Sequence, residues 1–177
     1  QQKDHSTLTM IDNTLKFDMT WQITHRHSIK MGLLGIAHDV DQKWQQIRNK
    51  YDGEAVQEDL YEPIVYGDST VYADIYKVKP QETAVYIQDK MEFDEMVINF
   101  GIRYDYFDPN TVYPSDRRNP ANQLSLPDSM MSVYPMAKPF NQVSPRFGLA
   151  YQLGNVAVLH FSYGHFFQLP PLYALYQ

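Results

Sequence analysis

The strongest constraint in this chain is a period of two. Between residues 14 and 24 the odd positions hold Leu15, Phe17, Met19, Trp21 and Ile23, while Lys16, Asp18, Thr20 and Gln22 fill the even ones. Successive side chains of a strand point to opposite faces, so this pattern predicts a β-strand with one apolar and one polar face. It recurs over 29–40, 82–93, 96–106, 142–153 and 156–166. Two of these rows are imperfect: Leu34 and Ile36 blur the second strand, and Asp89 interrupts the apolar row Val85, Ile87, Met91, Phe93. The expected fold is all-β, an antiparallel up-and-down meander of about six long strands in three hairpins. Residues 25–28, Asp94-Glu95 and Gly154-Asn155 close the hairpins, the last being a two-residue turn signal.

The connections alternate in length. Between the tight turns lie two long segments, 41–81 and 108–141, rich in Asp, Asn, Pro and Tyr. In a meander, odd and even connections emerge at opposite ends, so the long loops gather at one end and the tight turns at the other. Loops of this length are uncommon in compact soluble domains, whereas transmembrane β-barrels combine short periplasmic turns with long extracellular loops. Strand length agrees, since the segments run to about 10 to 12 residues against the roughly 9 to 11 a tilted strand needs to cross a bilayer. Tyr104, Tyr106 and Phe107 on one strand, and Tyr163, Phe166 and Phe167 on another, fall at the long-loop ends, where an interfacial aromatic girdle belongs. The competing expectation is a β-sandwich that buries its apolar face, as a soluble or surface binding module would.

Composition narrows the function classes. The 177 residues include 15 Lys plus Arg against 21 Asp plus Glu, a net charge of −6 that disfavours nucleic acid as a partner. Zero cysteines exclude disulfides, thiolate nucleophiles and Cys-ligated metal centres. The longest apolar run, Met31–Ala37, and a mean hydropathy of −0.47 leave no spanning helix. The opening Gln1-Gln2-Lys3-Asp4 has neither an initiator Met nor a signal-like start, which leads us to expect a processed or partial sequence.

Four motifs in order carry a family likeness. The segment Ala84-Val85-Tyr86-Ile87-Gln88-Asp89-Lys90-Met91-Glu92-Phe93 is followed by Asn99-Phe100-Gly101-Ile102-Arg103-Tyr104-Asp105-Tyr106-Phe107. Further on come Ser144-Pro145-Arg146-Phe147-Gly148 and Ser162-Tyr163-Gly164-His165-Phe166-Phe167-Gln168-Leu169-Pro170. Together they resemble barrel hairpins of the TonB-dependent outer-membrane receptors. The resemblance implies an internal segment of a closed barrel of about 22 strands with a plugged lumen. It also implies residence in the outer membrane of a Gram-negative bacterium, surrounded by its lipid, and import of a scarce solute such as a metal chelate, glycan or peptide. Energy would come from a TonB-type complex acting through a plug, and neither a plug nor a coupling box is recognisable in these residues.

On that reading the polar strand faces point into the lumen. Lys16, Asp18, Gln88, Lys90, Asn99, Arg103, Asp105 and Arg146 are the lumen-facing candidates, because charges facing hydrocarbon cost about 2 to 4 kcal/mol each at the midplane. Their first expected role is ion pairing along the lumen wall, and their second is ligand contact. In the 41–81 segment, Trp44, Tyr51, Tyr61, Tyr66, Tyr72 and Tyr76 among many acids suit either a recognition surface or padding of the loop against itself.

Enzyme signatures are lacking: no nucleophile elbow, phosphate loop, zinc-protease helix motif or dinucleotide turn occurs. His25-x-His27 falls in an expected solvated turn, and the pairs Glu92/Glu95 and Asp105/Asp108 flank turns and strand ends, where acids are ordinary. We assign no catalytic residue, no metal and no cofactor.

Overall fold

A computed structural model describes residues 3–51, 61–67, 70, 72–113, 115 and 132–175. The strands are β1 (Lys3–Gln22), β2 (His27–Asn49), β3 (Pro63–Val65), β4 (Ala73–Val78), β5 (Gln81–Glu92), β6 (Met96–Asp108), β7 (Phe140–Leu153) and β8 (Ala157–Gly164). One helical turn, α1 (Leu172–Leu175), follows. All strands belong to one antiparallel sheet in the order β1-β2-β5-β6-β7-β8, with β3 and β4 both pairing with β2. The six long strands are therefore the expected meander in sequence order, and no second sheet covers it among the described residues. The sandwich expectation fails on that point.

The chain divides into two compact units, Gln1–Asp12 with His38–Lys79, and Asn13–Ala37 with Pro80–Gln177. In the first, β2 runs on to Asn49, well beyond the Val40 at which its alternation ends. Its partner there is β4, registered from Val40↔Val78 to Gln45↔Ala73, and then β3, where Ile47 pairs with Val65. Val40 and Val78 pair as the buried apolar residues of this unit, and His38 and Gln46 are its buried polar side chains. His38 Nδ1 lies 2.7 Å from Asp12 Oδ1, joining β2 to β1. Much of the expected 41–81 loop is thus strand, while residues 52–60, 68–69 and 71 of it lie outside the described residues.

In the second unit the hairpin turns fall close to where the sequence put them. Thr24 Oγ1 accepts from the backbone N–H groups of Arg26 and His27 and fixes the first turn. Phe93 and Met96 exchange both backbone hydrogen bonds around Asp94-Glu95. The third turn differs by a residue. Leu153 pairs with Ala157, so Val156 joins Gly154 and Asn155 in the loop, and Gly154 takes the left-handed conformation (φ 58°). Of the 108–141 connection, 114 and 116–131 lie outside the described residues. Its described ends run side by side through a Val112↔Met136 bridge and a hydrogen bond from Ala137 N to Thr111 O.

Register sorts the side chains of this unit into two faces. One row passes Met31, Ile87, Ile102 and Pro145, and the next Leu33, Val85, Tyr104 and Val143. The opposite face carries Gly32, Tyr86, Arg103 and Ser144 in one row and Lys30, Gln88, Gly101 and Arg146 in another. Burial is inverted relative to a water-soluble sheet. Phe17 is 56% exposed, Phe100 55% and Ile87 47%, whereas Ser144 is 1% exposed and Gly101 is buried. The expected girdle forms only in part, because Phe107 sits on the polar face, buried and paired with Phe140, on which Phe167 stacks at 4.8 Å, and Phe166 packs against Arg146 of that same face.

Candidate functional site: the polar face of the sheet

All eight polar residues singled out from the sequence occupy one face of the second unit. Lys16 and Asp18 on β1 form an ion pair at 2.9 Å, and Tyr86 on β5 donates its O–H to Asp18 Oδ1 at 2.7 Å. Between them, β2 presents Gly32. A β-carbon there would meet the Tyr86 ring and come within 2.6 Å of Asp18 Oδ1, so the close approach of ring and backbone requires glycine. On β6, Arg103 binds Asp105 through Nε at 2.8 Å and Nη2 at 2.8 Å, a two-point pair along a single strand. Lys90 pairs with Glu92.

Arg146 is arranged differently. Its guanidinium lies over the Phe166 ring at 5.5 Å, and it has no carboxylate partner among the described residues. It borders a groove of about 620 Å³ with Gln88, Asn99, Ser162 and the glycines Gly101, Gly148 and Gly164. Of the eight, then, Lys16, Asp18, Lys90, Arg103 and Asp105 form ion pairs on this face, whereas Gln88, Asn99 and Arg146 border the groove.

The aromatic candidates of the first unit do not form a single cluster. Tyr66 and Tyr72 pack ring to ring at 4.9 Å, with Arg48 over Tyr72 at 4.8 Å. Tyr51 donates to Glu62 Oε2 at 2.9 Å, and Lys50 holds both Glu62 oxygens at 3.0 Å. These contacts hold the Glu62 carboxyl below its ordinary range, Lys50 first and Tyr51 second, and hold Lys50 above its own. Trp44 and Tyr76 stand on the paired strands β2 and β4, where burial, then Asp74, pushes the Tyr76 phenol up. Tyr61 is exposed. Four of the six are thus engaged within the unit itself, Tyr66 and Tyr72 by ring pairing, Tyr51 through Glu62 and Tyr76 by partial burial.

Sequence reasoning missed three features. Tyr86 and Gly32 act together, and the signal was a glycine across the ladder from an aromatic on the polar face. Lys30 was visible only as a polar position in a blurred strand. Asp89, the acid in the apolar row, sits beside His27 of β2, their side chains 2.8 Å apart, so the interruption is a cross-strand pair close to the tight turn.

The whole chain, residues 1–177, matches the family model described as TonB dependent receptor-like, beta-barrel. No curated protein matches it. The chain belongs to the TonB-dependent receptor β-barrel family, whose members are outer-membrane transporters rather than enzymes. The antiparallel meander is accordingly a part of a transmembrane β-barrel.

Proposed function

We propose that this sheet is wall for a TonB-dependent importer, with its apolar face against outer-membrane lipid and its polar face lining the lumen. The inverted burial carries this reading. Leaving large side chains such as Phe17, Phe100 and Ile102 about half uncovered in water forfeits on the order of 1 kcal/mol each, a loss that disappears when lipid covers them. The ion pairs Lys16–Asp18 and Arg103–Asp105 then stand in a wet or plugged lumen, where charge is tolerated. The long connections 41–81 and 108–141 face the cell exterior and meet the incoming solute, a metal chelate, glycan or peptide. Energy for its release into the periplasm comes from a TonB-type complex through a plug in the lumen.

The test is depth-resolved quenching. The receptor carrying Trp44→Phe, so that Trp21 is the reporter on this sheet, is reconstituted in bilayers containing brominated acyl chains. Trp21 emission should fall strongly, and a Trp moved to position 16 should be spared. Equal quenching at both positions, or none at Trp21, overturns the assignment of faces.

A further inference from the structure

The row Lys30–Gln88–Gly101–Arg146 crosses four consecutive strands on the polar face. It differs from its neighbours in charge balance. On either side of it, Arg103 is neutralised by Asp105 and Lys90 by Glu92, and Asp18 is held by Lys16 and Tyr86. Neither Lys30 nor Arg146 has an acidic partner among the described residues. Two cations thus stand three strand spacings apart, about 14 Å between backbones, with only an amide and a glycine between them. Around Arg146 the groove is open and floored by glycine, and a second pocket shares Gln88, Gly101 and Arg146 with it.

We infer that this row is a binding site for a multiply charged carboxylate, with Arg146 as the two-point anchor and Lys30 as the second charge. The inference rests on the lumen reading of the polar face. Arginine packed on an aromatic ring keeps its in-plane N–H donors free, and that fork matches a carboxylate. Gln88 and Asn99 add amide donors, and Ser162 adds a hydroxyl, at the rim of the same groove. At Gly101 a β-carbon would press to 3.1 Å from the Gln88 side chain, so glycine keeps the floor open beside the amide. Cationic lining of this kind is how pores select anions. The spacing favours two separated carboxylates over one compact phosphate. They can come from a free solute or from acidic side chains of a receptor segment lying in the lumen.

The experiment is calorimetric titration of the intact receptor in detergent at low salt, with triglutamate as probe and triglutamine as the uncharged control. Triglutamate should bind and triglutamine should not, and Lys30→Gln and Arg146→Gln should each weaken binding by up to about fivefold. Lys77→Gln, on β4 of the first unit, controls for loss of one positive charge. Where the receptor's own segment fills the row, triglutamate does not bind. Lys30→Glu and Arg146→Glu then lower the unfolding temperature more than Lys77→Glu does. Binding that is equal in wild type and in the Lys30→Gln/Arg146→Gln double variant overturns the inference, as does absence of both binding and selective destabilisation. Trp21 quenching by brominated lipid, measured on the same samples, reports separately whether the lumen reading holds.

Discussion

Tyr86 on β5 hydrogen-bonds to Asp18 on β1, two strands away, at 2.7 Å, its ring passing over Gly32 of the intervening strand. The contact fixes the register of three strands at once, because a slip of one residue would carry Tyr86 to the other face of the sheet. Aromatic cover of a strand glycine is a recognised device for pinning curved sheets. Gly32→Ala should therefore cost about 1 to 3 kcal/mol through overpacking against the ring and the Asp18 carboxylate. Tyr86→Phe, which keeps the ring and loses the hydrogen bond, should cost less. Urea unfolding of the receptor in detergent reads both, and a Gly32→Ala protein as stable as wild type would refute the strap.

The two faces of β1 differ in what they tolerate. Phe17→Arg places a charge where lipid is expected and should lower the folded, heat-modifiable fraction in the outer membrane, at a cost of about 2 to 4 kcal/mol near the midplane. Lys16→Gln on the adjoining position removes one partner of a solvated pair and should change little. Similar yields from the two variants would mean that the faces are reversed or that neither meets lipid.

What the sequence made legible follows from what alternation records. A period of two appears where the two faces of a strand meet different media, so the bilayer-length strands, the turn at Asp94-Glu95 and the facing of Arg103, Asp105 and Arg146 were all readable. Beyond Val40 the alternation fades into Asp41-Gln42-Lys43, and a polar residue, Gln46, takes the next buried position, so the strand continues unseen to Asn49. β1 likewise begins at Lys3, well before the row that opens at Leu15. Contacts such as Tyr86 with Asp18 depend on register between strands 68 positions apart, which no local pattern contains. The groove beside Arg146 depends on register in the same way, since Gln88, Gly101 and Arg146 meet only once β5, β6 and β7 are aligned.

Topology fixes which connections share a side. Tags inserted in the 41–81 or 108–141 connection, for instance after Tyr61 or Ser115, should bind antibody on intact cells. A tag at Asp94, in a tight turn, should bind only after the outer membrane is permeabilised. Surface labelling at Asp94 on intact cells would invert the orientation.

The Lys50–Glu62 pair joins the end of β2 to the start of β3, alongside the backbone bond from Lys50 N to Glu62 O at 2.9 Å. Glu62 titrates below its ordinary 4.5 in the folded protein, because Lys50 and then Tyr51 favour its charged form. A depressed acid contributes stability above its unfolded value and loses that contribution as pH falls through the folded one. Lys50, raised above 10.5, stays charged throughout that acid range. Acidification below about pH 4.5 should therefore loosen β3, while neutral and mildly alkaline conditions should leave it in place. Carboxyl carbon shifts of labelled Glu62 in the receptor should show a midpoint below 4.5, moving upward in Lys50→Gln and by a smaller step in Tyr51→Phe. A wild-type midpoint at or above 4.5, or one indifferent to Lys50→Gln, would show that the pair does not form in the membrane-embedded protein.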